Sequence, residues 1–134
     1  LGIEDYVNFV EPPMGRTFHR DQMVALYRVA DVVADEFGVG WFGNVTLEGL
    51  AMATPVVSYV DDEVMTKLYP AGHPIISSRD ARGVAAALVA LAKSPERRRE
   101  IGKRSRVWIM QHHAPSATTD TYVAALTDML VRMR

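Results

Sequence analysis

Gly40-Trp41-Phe42-Gly43-Asn44-Val45-Thr46-Leu47-Glu48-Gly49-Leu50-Ala51-Met52-Ala53-Thr54-Pro55-Val56-Val57 is the stretch whose reading decides the fold. Glycines at 40 and 43 loosen the chain, and Asn44 is placed to cap a helix. Val45 to Met52 is helix-compatible, with Leu47, Leu50 and Ala51 on its packing side. Pro55 to Val60 then reads as a buried strand. Upstream, Asp31 to Asp35 is too short for a helix and reads as another buried strand. Strand, glycine loop, helix and strand in that order make a parallel α/β unit with right-handed crossovers.

Such a junction presents unpaired backbone N–H groups to an anion, and a diphosphate would suit it. Gly43 allows a ligand close to the backbone, and Glu48, one turn into the helix, could accept hydrogen bonds from ribose hydroxyls. The same spacing also fits ordinary strand-to-helix packing.

Working outward, Tyr6 to Val10 alternates as a short strand that Pro12-Pro13 ends. Met23, Leu26, Tyr27 and Ala30 give the segment from Arg20 to Ala30 an apolar helical face toward a sheet. A short helix is expected from Glu63 to Leu68, and after the break at Tyr69-Pro70 the run Pro74-Ile75-Ile76 reads as a further strand. The expectation is a three-layer, Rossmann-like parallel sheet of about four strands over residues 1–79. A helical tail fills 80–134, with Asp80 capping one helix and Ser94 with Pro95 opening the next. After Ala114-Pro115, the residues Tyr122, Val123, Leu126, Met129 and Leu130 form the apolar stripe of a third helix.

Composition sets wider bounds. A chain of 134 residues, 49% hydrophobic, suits one globular domain. Lys plus Arg number 15 against 16 Asp plus Glu, so no global field favours nucleic acid, and none is expected as a partner. Arg97, Arg98, Arg99, Lys103, Arg104 and Arg106 form a local basic run that reads as a solvated helix face and leaves peripheral membrane contact open. With no cysteine there is neither a disulfide nor a thiolate metal site. No metal and no cofactor is expected. No apolar run approaches the roughly 20 residues of a spanning helix. No basic-then-apolar signal pattern opens the chain, and a cytoplasmic setting is expected. His112-His113 point to different helix faces with no third ligand nearby, so they read as surface histidines. His19 reads as a capping or exposed residue and Trp108 as packing.

With these residues in view, the stretch resembles the retaining GT-B glycosyltransferases, whose pattern is E-G-F-G-x-x-x-L-E-A-M-A-x-G-x-P-V-V. Leu26-Tyr27-Arg28-Val29-Ala30-Asp31 resembles that family's L-Y-x-x-A-D, and Leu1 to Val10 its turn into a third strand. The resemblance implies half of a C-terminal, donor-binding domain. Its ligand would be a UDP-, GDP- or ADP-linked sugar, passed to a glycan, lipid or protein acceptor. Glu48 would hold the ribose, and the amides of Gly43, Asn44 and Val45 the diphosphate. Glu11 and Pro12 stand where the base is usually met. An N-terminal acceptor domain, the glycine-containing first loop and an Arg/Lys phosphate grip would belong to a longer protein, and this chain alone should transfer nothing.

Three departures stand out. Gly40 replaces the pattern's first glutamate, which touches the donor sugar. Asp35, Glu36 and Trp41 resemble a subgroup with D-Q-F-x-x-G-x-Y-G, which includes proteins of surface-polysaccharide synthesis, so Asp35 or Glu36 could supply the lost carboxylate. Ala53 replaces the glycine after the helix, which suggests an altered loop geometry there. The missing upstream strands leave Tyr6 to Val10 either paired beside Asp31 to Asp35 or loosely docked. Two other readings remain: a non-catalytic nucleotide-binding or scaffold module of the same fold, and a phosphoacceptor-type α/β domain built on Asp35. The second leaves the helical tail unexplained.

Overall fold

A computed structural model describes Pro12 and residues 14–133. The expected strand from Tyr6 to Val10, its pairing, and Glu11 lie outside the described residues. Among the described residues nine elements follow in order: α1 (Arg20–Val29), β1 (Val33–Ala34), α2 (Asn44–Ala51), β2 (Val56–Ser58), α3 (Asp62–Leu68), β3 (Ile76–Ser77), α4 (Ala81–Lys93), α5 (Pro95–His112) and α6 (Pro115–Arg132).

Among the described residues the sheet has three parallel strands in the order β1-β2-β3. Val33 pairs with Val56, and Val57 with Ile76. All three residues of β2 are buried, as a central parallel strand covered on both faces requires. Val56 faces α2, where Gly49 lies so close that a Cβ would stand 3.0 Å from a Val56 methyl. Val57 takes the other face, and α4 packs against β2. The main core joins Tyr27, Val33, Phe42, Leu50, Val56 and Met65 to Trp108 and Ile109 of α5. α1 reaches this core by packing on α2.

Caps read from the sequence hold where the cap is local. The Asp80 carboxylate accepts from the Gly83 amide, and the Ser94 hydroxyl from the Arg97 amide ahead of Pro95. At α2 the cap moves by one residue. Gly43 is the extended capping residue and its carbonyl accepts from Leu47 N–H, so Asn44 is the first helical residue.

Ala53 also departs from expectation. Its φ of +60° keeps the left-handed turn that glycine usually makes after a helix, so the loop geometry is unaltered and alanine bears the steric cost. Thr54 anchors the turn by donating to the Tyr27 carbonyl at 2.7 Å. α5 then closes over it at Gly102, where a Cβ would lie 2.1 Å from the Ala53 carbonyl oxygen.

The basic run is only partly a solvated face. Arg98 donates to the Leu91 and Ala92 carbonyls at the end of α4 and pairs with Asp31 at 2.9 Å. Arg106 donates to the Ala51 carbonyl at the end of α2. The stripe of α6 exists as read, and Tyr122, Val123, Leu126, Met129 and Leu130 are all exposed. No described helix is long and apolar enough to cross a membrane.

Candidate functional site

Parallel strands bring their C-terminal ends to one edge, and α2 begins there. Gly43 is exposed, with open space where a Cβ would stand, so the backbone can be approached. The amides of Asn44 and Val45 make no hydrogen bond among the described residues, as the first turn of a helix leaves them. The third amide is taken. Thr46 N–H donates to Asp35 at 3.0 Å, and the buried Thr46 hydroxyl donates to the same oxygen at 2.6 Å. Asp35 thus ties the end of β1 to the start of α2.

Glu48 lies one turn further along the face of Asn44, half-buried. Beside it, desolvation, then the negative charge of the Glu48 carboxylate, push the Tyr27 pKa up. Arg20, at the start of α1, stands 3.7 Å away on the open side. Together, Arg20, Asn44, Leu47, Glu48, Ile109 and His113 wall a cleft of about 300 Å³. It therefore combines the free Asn44 amide, a half-buried carboxylate and a cation beside a backbone that can be approached.

The other candidates take separate positions. Glu36 turns back to accept from the Gly38 and Val39 amides. Gly40 is buried at a φ of +78°, a left-handed conformation, with a virtual Cβ 3.1 Å from the Tyr59 ring. The backbone itself therefore selects glycine at this position. Trp41 stacks on Phe42 at 4.5 Å while remaining 40% exposed. Pro12 is half-buried.

The glycosyl transferase-like family matches residues 11–124 of this sequence, which take in the whole cleft. The chain belongs to that family. Its similarity to curated glycosyltransferases agrees. It is 36% identical over 114 residues to a D-inositol 3-phosphate glycosyltransferase of Saccharomonospora viridis, covering 79% of this chain and 24% of that protein. A protein of the same name from Salinispora tropica is 39% identical over 87 residues, covering 59% of this chain and 17% of the other. The chain thus spans about a quarter or less of the length of these relatives. No solved structure gives a significant match. The GT-B resemblance carried by the motif stretch is thereby shown, and the parallel sheet of the described residues agrees with it.

Two residues of the cleft escaped the sequence reading. His113 is half-buried, its ring 5.7 Å from Phe42, edge to face, and 4.8 Å from Trp108, with Nε2 3.3 Å from the Tyr69 hydroxyl. Burial, then the neighbouring His112, lower its pKa. The surface reading holds for His112 alone. The signal lay in spacing: His113 follows Ile109 by four positions, on the buried face of α5. Arg20 carried no such signal, since its closeness to Glu48 arises only when α1 packs on α2.

Proposed function

We propose that the cleft is the donor site of a glycosyltransferase that moves a sugar from a nucleoside-diphosphate sugar to a glycan, lipid or protein acceptor. The setting is surface-polysaccharide or glycoconjugate synthesis at the cytoplasmic side, with an acceptor domain supplied elsewhere in a longer protein. The observation that carries this reading is the Asn44 amide, unpartnered among the described residues, in one cleft with Glu48 a helical turn along, the equally unpartnered Val45 amide following Asn44 in the chain. The amides and the positive end of α2 suit a diphosphate. The Glu48 carboxylate, half-buried in the cleft wall, suits a vicinal diol. Arg20 supplies the one cation of the wall and draws charge toward it. Stabilising the departing diphosphate in this way is how such a site would lower the barrier to transfer.

Within this reading the 1–79 sheet part carries the donor site and the 80–134 helices brace it. Asp35 and Glu36 already hold backbone amides, so Trp41 is the better placed of the three to meet the sugar or base. The competing scaffold reading draws on Gly40, whose left-handed backbone bears no side chain toward a sugar.

Calorimetric titration with UDP, GDP and ADP tests the proposal. One nucleotide is expected to bind, and Glu48→Ala should weaken it by about 1–3 kcal/mol through lost hydrogen bonds to a charged group and partners left unpaired. Binding that is indifferent to Glu48, or no binding to any of the three, would count against the site. Nucleotide binding without transfer in the full-length protein would favour the scaffold.

A further inference from the structure

His113 walls the cleft together with Asn44 and Glu48. It stands just past the end of α5, where the rings of Phe42, Tyr69 and Trp108 surround its own at centroid distances of 5.7, 6.0 and 4.8 Å. Phe42 directly precedes Gly43 and Asn44, so the imidazole lies beside the chain that leads into the unpartnered amides. Its Nε2 is turned to the Tyr69 hydroxyl at 3.3 Å, and Tyr69 is not part of the cleft wall. Its Nδ1 has no partner among the described residues and, unlike His73 Nδ1, is not buried. One ring nitrogen is thus fixed from behind and the other is open.

The surroundings decide where the ring proton sits. Burial raises the Tyr69 pKa, so that hydroxyl keeps its proton at neutral pH and is able to donate to Nε2. In that arrangement the proton of the neutral imidazole is on the open Nδ1. The charged groups around the ring are Arg20 from α1, Glu48 from α2 and His112 from α5, and the first turn of α6 holds no acidic residue. Burial, then His112, lowers the His113 pKa, and no carboxylate offsets them. An anion arriving at the Asn44 amide therefore meets a histidine that has no negative partner of its own.

Resting on the donor-site reading, we propose that His113 binds the donor diphosphate, its Nδ1–H donating to a non-bridging oxygen while Tyr69 orients the ring from behind. Tyr69 is then a positioning residue. The backbone amides meet the anion as fixed, neutral donors, whereas His113 adds a donor whose charge follows the ligand. A nearby dianion favours the protonated ring, so binding takes up a proton. The resulting gain in affinity is complete below the His113 pKa of the free chain and is lost as the pH rises through the higher pKa of the complex. A nucleoside without phosphate gives His113 nothing to hold.

The test follows the His113 imidazole resonances of the full chain, assigned by their loss in His113→Gln. They are titrated with pH in the free chain, with saturating UDP, GDP or ADP, and with the matching nucleoside. The bound nucleotide is expected to raise the His113 pKa by about one pH unit or more, and the nucleoside to leave it in place. In calorimetry, affinity should fall between about pH 5.5 and 7.5 by about tenfold more in the wild-type chain than in His113→Gln, the equivalent of that shift. The variant carries the titration of the phosphate itself and so sets the baseline. Tyr69→Phe should weaken the nucleotide by about two- to tenfold yet keep the upward shift of the His113 pKa, because it removes the orienting bond and not the anion contact. An unmoved His113 pKa in a chain whose nucleotide binding still depends on Glu48 overturns this inference and leaves the donor site standing. A pKa raised equally by the nucleoside overturns it as well, since the anion would not be the cause. No nucleotide binding at all overturns both.

Discussion

Ala53 shows how one residue can be misjudged from sequence while its neighbourhood is not. The substitution for glycine suggested a different loop, but α5 rests on this turn through Gly102 and Thr54 ties it to α1, so the turn persists and the alanine is strained. Ala53→Gly should therefore stabilise the fold by about 1 kcal/mol, visible as a higher urea midpoint. His113 was misread for the opposite reason. The identity of its neighbour His112 was legible, but the pocket that half-buries it is made by Phe42, Tyr69 and Trp108, which lie far apart in the chain. Desolvation lowers the pKa of both His113 and His73. The unfolded chain then binds more protons than the folded one, so stability rises with pH across this window. It is expected to fall as the pH drops through about 6.5 and to level off once the folded histidines are also protonated. Urea midpoints between neutral and mildly acid pH measure this, and His73→Gln with His113→Gln should flatten the profile.

At the scale of elements, the sequence was legible wherever a local rule sufficed. The caps at Asp80 and Ser94-Pro95, and the buried run of β2, needed nothing beyond neighbouring residues. The basic run did not yield in this way, because its meaning depends on where α5 lies. Arg98 joins three elements: it covers the last carbonyls of α4, reaches Asp31 before β1, and is itself largely buried. Arg98→Met should cost about 1.5–3 kcal/mol through lost charged hydrogen bonds. Asp31→Asn should cost under about 1 kcal/mol, since that carboxylate is exposed. Equal costs in denaturant titrations would place the clamp in the ion pair alone.

For the whole molecule, the parallel order and the motif-bearing loop could be read in advance, whereas the convergence of Arg20 and His113 on Glu48 could not, because it requires α1, α2 and α5 to be assembled first. The exposed stripe of α6 makes a prediction at this scale. Apolar surface of that extent promotes association, so the isolated chain should show a mass that rises with concentration in light scattering, and Leu126→Glu with Leu130→Glu should hold it monomeric. Gly40 carries a consequence of another kind. The carboxylate that the family pattern places there cannot be restored by a side-chain replacement alone, because a glutamate at this φ would be strained and would press on the Tyr59 ring. Recovering it requires the loop from Asp35 to Gly43 to be rebuilt together with the side chain. Glycine at position 40 is thus kept by the shape of the loop itself, and a carboxylate offered to a ligand from this loop as it stands has to come from another position.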